Sequence, residues 1–157
     1  MITDETYMDE AINLAIRAGE IDEVPIGAIV VKNGEIIGRG YNKRESGKSS
    51  LAHAEIEAIS EACDNVGSWR LHDCELYVTL EPCPMCAGAI VNSRIKRVIF
   101  GASDYKAGAF GSVLNINDFP LNHKVTLTGG IKCEECADLL SSFFKRLRQE
   151  QKNTDAK

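Results

Sequence analysis

The residues best suited to chemistry lie in Pro82-Cys83-Pro84-Met85-Cys86. Two thiols at this spacing have three ordinary uses. Two further thiols would complete a structural zinc site, a βαβ context would make a redox pair, and one distant histidine with a glutamate beside it would make a catalytic metal centre. Of the three histidines, His53 is the strongest partner, because it opens a segment of helical composition and Glu55 follows two positions on. Positions i and i+2 do not share a helical face, so Glu55 is not expected to bind the same cation. It can instead border an open fourth position, and three protein ligands with one position left to water is the catalytic arrangement of zinc. Two thiolates cancel the formal charge of Zn²⁺, and a neutral His leaves it cancelled. Such a site acidifies its water less than a three-histidine site does, and a carboxylate nearby to take the proton is what the chemistry then requires. Taken singly, each residue has a plainer use: a lone His at a helix start is usually a cap or surface group, and a lone Glu a solvated one.

The elements that must hold these groups can be read around them. A strand over 74–80 (CELYVTL) runs into the thiol segment, and 83–94 reads as a short helix begun by prolines, which suit a first turn. Cys83 and Cys86 then lie on one face near a helix N-terminus, whose dipole favours thiolate. Residues 52–63 (AHAEIEAISEAC) read as the helix that carries His53. Upstream, Met8, Ala11, Ile12, Ala15 and Ala18 recur at helical spacing over 6–19. Two β-rich runs flank Asn33-Gly34, a strong hairpin signal. A strand RVIFGA, a loop to about residue 120, a strand over 123–130 (HKVTLTGG) and a long amphipathic helix from Cys133 complete the chain. A hairpin followed by strands alternating with helices predicts an α/β sheet with helices on both faces. We expect one domain over 1–151 and a frayed tail over 152–157.

Composition agrees. A chain of 157 residues, 44% hydrophobic and 26% charged, fits one globular domain. The acidic start MITDETYMDE lacks the basic and apolar regions of a secretory signal, and runs such as IGAIVV are too short to span a bilayer. We therefore expect no membrane association and a cytoplasmic location. In a reducing compartment the six cysteines should bind metal or be buried rather than pair. Cys63 reads as a buried helix residue. The second pair, Cys133 and Cys136, would need two more ligands for a metal, and no spacing supports His123 or Cys74 in that role. The net charge of −5 weighs against a large nucleic-acid surface. Its distribution is uneven: residues 1–63 carry 6 basic and 12 acidic groups, residues 64–157 carry 12 and 11. Lys145, Arg146, Arg148 and Lys152 make a small positive patch.

His53-Ala54-Glu55, about thirty residues, then Pro82-Cys83-Pro84-Met85-Cys86 is the H-x-E…P-C-x-x-C pattern of zinc nucleobase deaminases. The likeness extends over roughly 5–150, through EVPIGAIVV, AHAEIEAI, GSWRL, the run from Tyr77 to Ser112, Asn122-His123 and ECADLLSSFFKRLR. On these residues the chain resembles the bacterial tRNA-specific adenosine deaminases, which make inosine at the wobble base of an anticodon. Free-nucleobase relatives such as guanine deaminases share His-Ala-Glu and Pro-Cys-Pro-Met-Cys. They usually carry a GGPFGA-like stretch where this chain has EVPIGA. That difference and the Phe-Phe-basic helix favour tRNA. A free base or nucleoside of the guanine or cytosine type is the alternative substrate, and a non-catalytic zinc or redox module is a third reading.

The resemblance implies a cytidine-deaminase-like α/β/α fold of three layers, with a mixed central sheet of about five strands. It implies one Zn²⁺ per chain held by His53, Cys83 and Cys86. Glu55 would take a proton from the water, give it to the ring nitrogen beside the attacked carbon, and then protonate the departing amine. Asn42 would hydrogen-bond the extruded nucleotide, and Val24 would wall the base pocket. Asp104 would sit near a 2′-hydroxyl, a group that DNA lacks, with Lys106 keeping the loop basic. Adjacent Phe143 and Phe144 point about 100° apart on a helix, so one is expected in the core. The other, with Phe144 the candidate, would touch an unstacked loop base, while Lys145, Arg146 and Arg148 lie near phosphates of the anticodon arm. The family works as a homodimer, and the small apolar face of AGAIVN would suit one.

Overall fold

The computed structural model describes residues 2–156. Asn33 and Gly34 take φ of 50° and 80°, the positive values that a tight two-residue hairpin turn requires. They fold β1 (Gly27–Lys32) back on β2 (Glu35–Tyr41), with a register shift between Val30 and Val31. On its other edge β1 pairs antiparallel with β3 (Cys74–Leu80). β3 pairs in parallel with β4 (Arg97–Ala102), and β4 with β5 (Thr126–Thr128). Parallel neighbours need a crossover, which α3 (Pro84–Asn92) supplies between β3 and β4. The result is a mixed five-stranded sheet in the order β2-β1-β3-β4-β5.

Alternation along the strands divides the core in two. Ala28, Val30, Leu76, Val78, Val98 and Phe100 face α2 (Ala54–Val66) and α3. Ile29, Val31, Tyr77 and Ile99 face the other way, against α1 (Asp4–Glu20) and α4 (Cys133–Asp155). These are the three layers expected. α2 sits so close on β2 that a Cβ at Gly38 or Gly40 would run into the backbone carbonyls of Ala58 or Ala54. The close approach fixes the start of α2, and hence His53, relative to the sheet.

Three expectations need correction. β5 is only three residues long, because its pairing extends no further than Arg97–Ile99 of β4. α4 continues through Asp155, so residues 152–155 are helical where a frayed tail was expected. Cys63 is partly exposed rather than buried, lying on the rim of α2 with Sγ 3.9 Å from the Trp69 carbonyl oxygen. Among the described residues no helix is long and apolar enough to cross a membrane.

Candidate active site

Two helix N-termini meet beyond the C-terminal end of β3. His53 is the N-cap of α2, in extended backbone (φ −78°, ψ 151°), and its ring makes no capping bond. Cys83 is the N-cap of α3 (φ −74°, ψ 172°), followed by Pro84 in the first turn. Cys86 is buried one turn on. Nδ1 of His53 lies 3.7 Å from Sγ of Cys83 and 3.5 Å from Sγ of Cys86. A tetrahedral zinc with ordinary Zn–S and Zn–N lengths sets its N and S ligands about 3.6 Å apart. The one-nitrogen, two-sulfur donor set therefore fits zinc in both chemistry and spacing. Among the described residues these three form the one cluster of potential ligands within 4.8 Å of one another. Cys133 and Cys136 belong to no such cluster. Cys133 is exposed and Cys136 buried, while His123 Nε2 hydrogen-bonds the Ile95 carbonyl oxygen at 2.7 Å.

The cluster carries the negative charge that a bound cation would need. The neighbouring Cys86 thiol, aided by the His53 ring, pulls the Cys83 thiol down to about 4 in spite of its burial. Cys86, the donor of that pair, is pushed up. The contact with Cys83 likewise raises the His53 imidazole. Glu55 is buried beside them at 4% exposure. Burial lifts its carboxyl to about 7, and the Cys83 charge adds to the shift.

Glu55, His53 and Cys83 open into a cavity of about 240 Å³, whose walls include Val24, Ile26, Asn42, Asp104 and Phe144. Asn42 is buried; its Nδ2 donates to the Val24 carbonyl oxygen at 3.4 Å, and its Oδ1 has no partner among the described residues. Phe144 is 42% exposed at the rim, whereas Phe143 beneath it is 6% exposed. None of Lys145, Arg146 and Arg148 lines the cavity. Arg146 points away from it, its guanidinium bound to Asp22 at 3.0 Å and lying over the Phe143 ring.

Sequence reasoning missed three residues here. Arg44 lines the cavity mouth. Glu23, 1% exposed, accepts from the backbone N–H groups of Glu45 and Ser46 at 3.0 and 2.8 Å, and so fastens the segment after Asn42. Glu81, 2% exposed, does the same for the loop after β4. Their adjacency to Val24-Pro25 and Pro82-Cys83 is the only trace that the sequence carries of either role.

A sheet of this order with a His-Cys-Cys cluster at paired helix ends belongs with the nucleobase-deaminase class, and comparison with known proteins bears this out. The profile of the MafB19-like deaminases matches residues 2–148, and the chain belongs to that family. It is similar to the tRNA-specific adenosine deaminase of Bacillus subtilis, 52% identical over 153 residues, or 97% of this chain and 95% of that one. That of Haemophilus influenzae is 47% identical over 151 residues, covering 95% and 87%. A solved tRNA:A34 deaminase, studied for A-to-I editing at the wobble position of transfer RNA, superposes with a TM-score of 0.83 at 43% identity, over 85% of this chain and 98% of that one. A guanine deaminase from Nitrosomonas europaea superposes with a TM-score of 0.80 at 25% identity, over 91% and 85%.

Proposed function

We propose that the chain converts adenosine to inosine at the wobble position of a tRNA anticodon, releasing ammonia. The observation that carries the chemistry is the place of Glu55. It is buried in the same cavity as His53 and Cys83, yet stands outside the cluster that could hold a cation. Zinc held by His53, Cys83 and Cys86 would supply a Lewis acid with one open position and an acidified water. Glu55 takes the proton that the water gives up and carries it to the ring nitrogen beside the carbon under attack. It then takes the second proton from the hydroxyl now on that carbon and passes it to the departing amine, so that the C–N bond breaks, the carbon keeps the oxygen as a carbonyl and ammonia leaves. A carboxyl raised to about 7 can hold and release a proton near neutral pH. The unpartnered Oδ1 of Asn42 offers an acceptor to the base, Val24 and Ile26 offer apolar walls, and the half-exposed Phe144 ring offers a stacking surface at the rim.

The choice of RNA rests on relatives at 44–52% identity named for tRNA. Guanine deaminase shares the fold at 25%. Partners are then a tRNA anticodon arm and a second copy of this chain. The open space at Gly88 on α3 suits such a homodimer, which sedimentation would test. The cytoplasm, where tRNA resides, is the proposed location. The deciding experiment incubates the protein with an anticodon-arm RNA bearing a wobble adenosine, beside free adenosine, guanine and cytosine, and scores inosine and ammonia. Turnover of a free base without turnover of the RNA would replace this reading by the free-nucleobase alternative.

A further inference from the structure

We propose that Glu81 is a positioning residue for substrate selection: its buried carboxylate sets the loop from Ala102 to Ser112 so that Asp104 meets a ribose 2′-hydroxyl. This rests on the RNA substrate proposed above.

Glu81 follows β3 directly and precedes the ligand segment. Its own N–H donates to the Ala102 carbonyl oxygen at 2.8 Å. Its Oε1 accepts from the Asp104 N–H at 3.1 Å and from the Ser112 hydroxyl. Its Oε2 accepts from the N–H groups of Phe110 and Ser112, at 3.0 and 3.1 Å. All four carboxylate donors therefore come from one loop, and the loop is gripped at both ends. The Ala109 N–H adds a bond to the Pro82 carbonyl oxygen at 2.9 Å, beside Cys83. Burying a carboxylate without a cation is costly unless donors satisfy it. Among the described residues Glu81 forms no ion pair; the loop backbone is what satisfies it.

Asp104 is held through its own main chain by this network. Its Oδ1 is occupied locally, accepting from the Lys106 and Ala107 N–H groups at 3.0 and 3.2 Å. The other oxygen has no protein partner among the described residues, and Asp104 lines the cavity. A hydrogen bond tolerates only a few tenths of an ångström, so the reach of that oxygen depends on where the loop is fixed. The loop is also cut to fit its anchor: a Cβ on Gly108 would overlap the Glu81 carboxyl.

The test compares kcat/KM on an anticodon-arm RNA with that on the same arm carrying 2′-deoxy sugars throughout its loop. Wild type should prefer ribose on the order of tenfold, the effect of one hydrogen bond to a charged group. In Glu81→Gln an NH₂ faces backbone N–H groups where an acceptor stood. The preference should fall to within about twofold, chiefly through KM on the ribose arm, with metal content per chain unchanged. Gly108→Ala crowds both the Glu81 carboxyl and the Asp104 carbonyl oxygen, so it should give at least the same loss. Ser112→Ala removes only the hydroxyl and should give an intermediate preference, which serves if the stronger variants fold poorly. Glu23→Gln loosens the opposite wall and should raise KM while keeping the preference. The proposal is overturned if wild type shows no ribose preference, if Glu81→Gln, Gly108→Ala and Ser112→Ala all keep it, or if Glu23→Gln loses it equally. Absence of turnover on either arm would instead remove the substrate reading, and this inference with it.

Discussion

A carboxyl buried beside two sulfur atoms is not explained by packing, because burial disfavours its charge and lifts it to about 7. Glu55→Gln keeps the volume and removes the exchangeable proton. We expect turnover to fall on the order of 10²–10⁴-fold, the contribution of a general acid–base group, with metal content and RNA affinity near wild type. Turnover within a few-fold of wild type would take the proton-shuttle role away from Glu55. The sulfur ligands behave differently. Cys83→Ala or Cys86→Ala leaves two protein donors at a site that needs three, so both metal and activity should be lost. Cys133→Ser, at an exposed position outside the cluster, should leave metal stoichiometry unchanged. Elemental analysis of chelator-free preparations separates the two ligand variants from Cys133→Ser.

At the scale of elements, α4 divides its functions by face. Phe143 is buried and Phe144 reaches the cavity rim, the two rings meeting edge-on at 5.5 Å. Arg146 sits with Phe143, paired to Asp22 and, at 3.8 Å, to Glu150. Lys145 and Arg148 form no ion pair among the described residues. We therefore expect Lys145→Gln with Arg148→Gln to weaken anticodon-arm binding and to flatten its salt dependence by one to two in log–log slope, about 0.7–0.9 for each phosphate no longer neutralised. Arg146→Gln should change that slope little. Phe144→Ala should cost roughly 1–3 kcal/mol of binding, a stacking loss, at unchanged slope. Affinity measured across a salt series separates the three. That division was only partly legible in the sequence. Spacing foretold that one of the two rings would be buried, but not that Arg146 would find Asp22, 124 residues away. The hairpin was legible because Asn33-Gly34 is local turn chemistry, and the His-Cys-Cys cluster because its spacing is rare. The short β5 was not, since tertiary pairing decides it, and neither was the full reach of α4, whose turns after Phe143 are exposed and leave no apolar pattern to read. Glu23 and Glu81 escaped because all but one of their partners, the Ser112 hydroxyl, are backbone N–H groups, and all lie 22–31 residues away, which leaves no side-chain pattern to read.

For the whole molecule, the cluster around Arg97 ties four elements together. Arg97 donates to both oxygens of Asp4 on α1, at 3.1 and 2.7 Å, to Glu75 on β3 at 2.9 Å and to Thr128 on β5 at 3.0 Å. The Tyr77 hydroxyl donates to Asp4 at 2.7 Å. Arg97 holds the Asp4 carboxyl below its ordinary range against the cost of burial. Burial pushes Glu23 and Glu81 up, but their hydrogen bonds outweigh it and hold both below the usual range. A carboxyl whose folded value is depressed contributes stability that is fully present above its unfolded value, about 3.9 for Asp and 4.3 for Glu. That stability is lost as pH falls through the folded value. Glu55 has the opposite sign: raised to about 7, it contributes stability below about 4.3 that is lost as pH rises through 7. Below about pH 4 it is protonated in both states and leaves the acid limb to the other three. We therefore expect resistance to urea to fall steeply below about pH 4. Arg97→Met should be less stable than wild type by about 1 kcal/mol at pH 6, a modest figure because the pair is partly solvent-screened. The two proteins should converge as pH falls through the depressed folded value of Asp4, below which its carboxyl is neutral in both states. Metal release in acid affects both proteins alike, so the difference between their urea midpoints isolates the ion pairs of Arg97 with Asp4 and Glu75. A difference that stays constant from neutral pH into acid would mean that Arg97 acts through packing and not through the charge of Asp4.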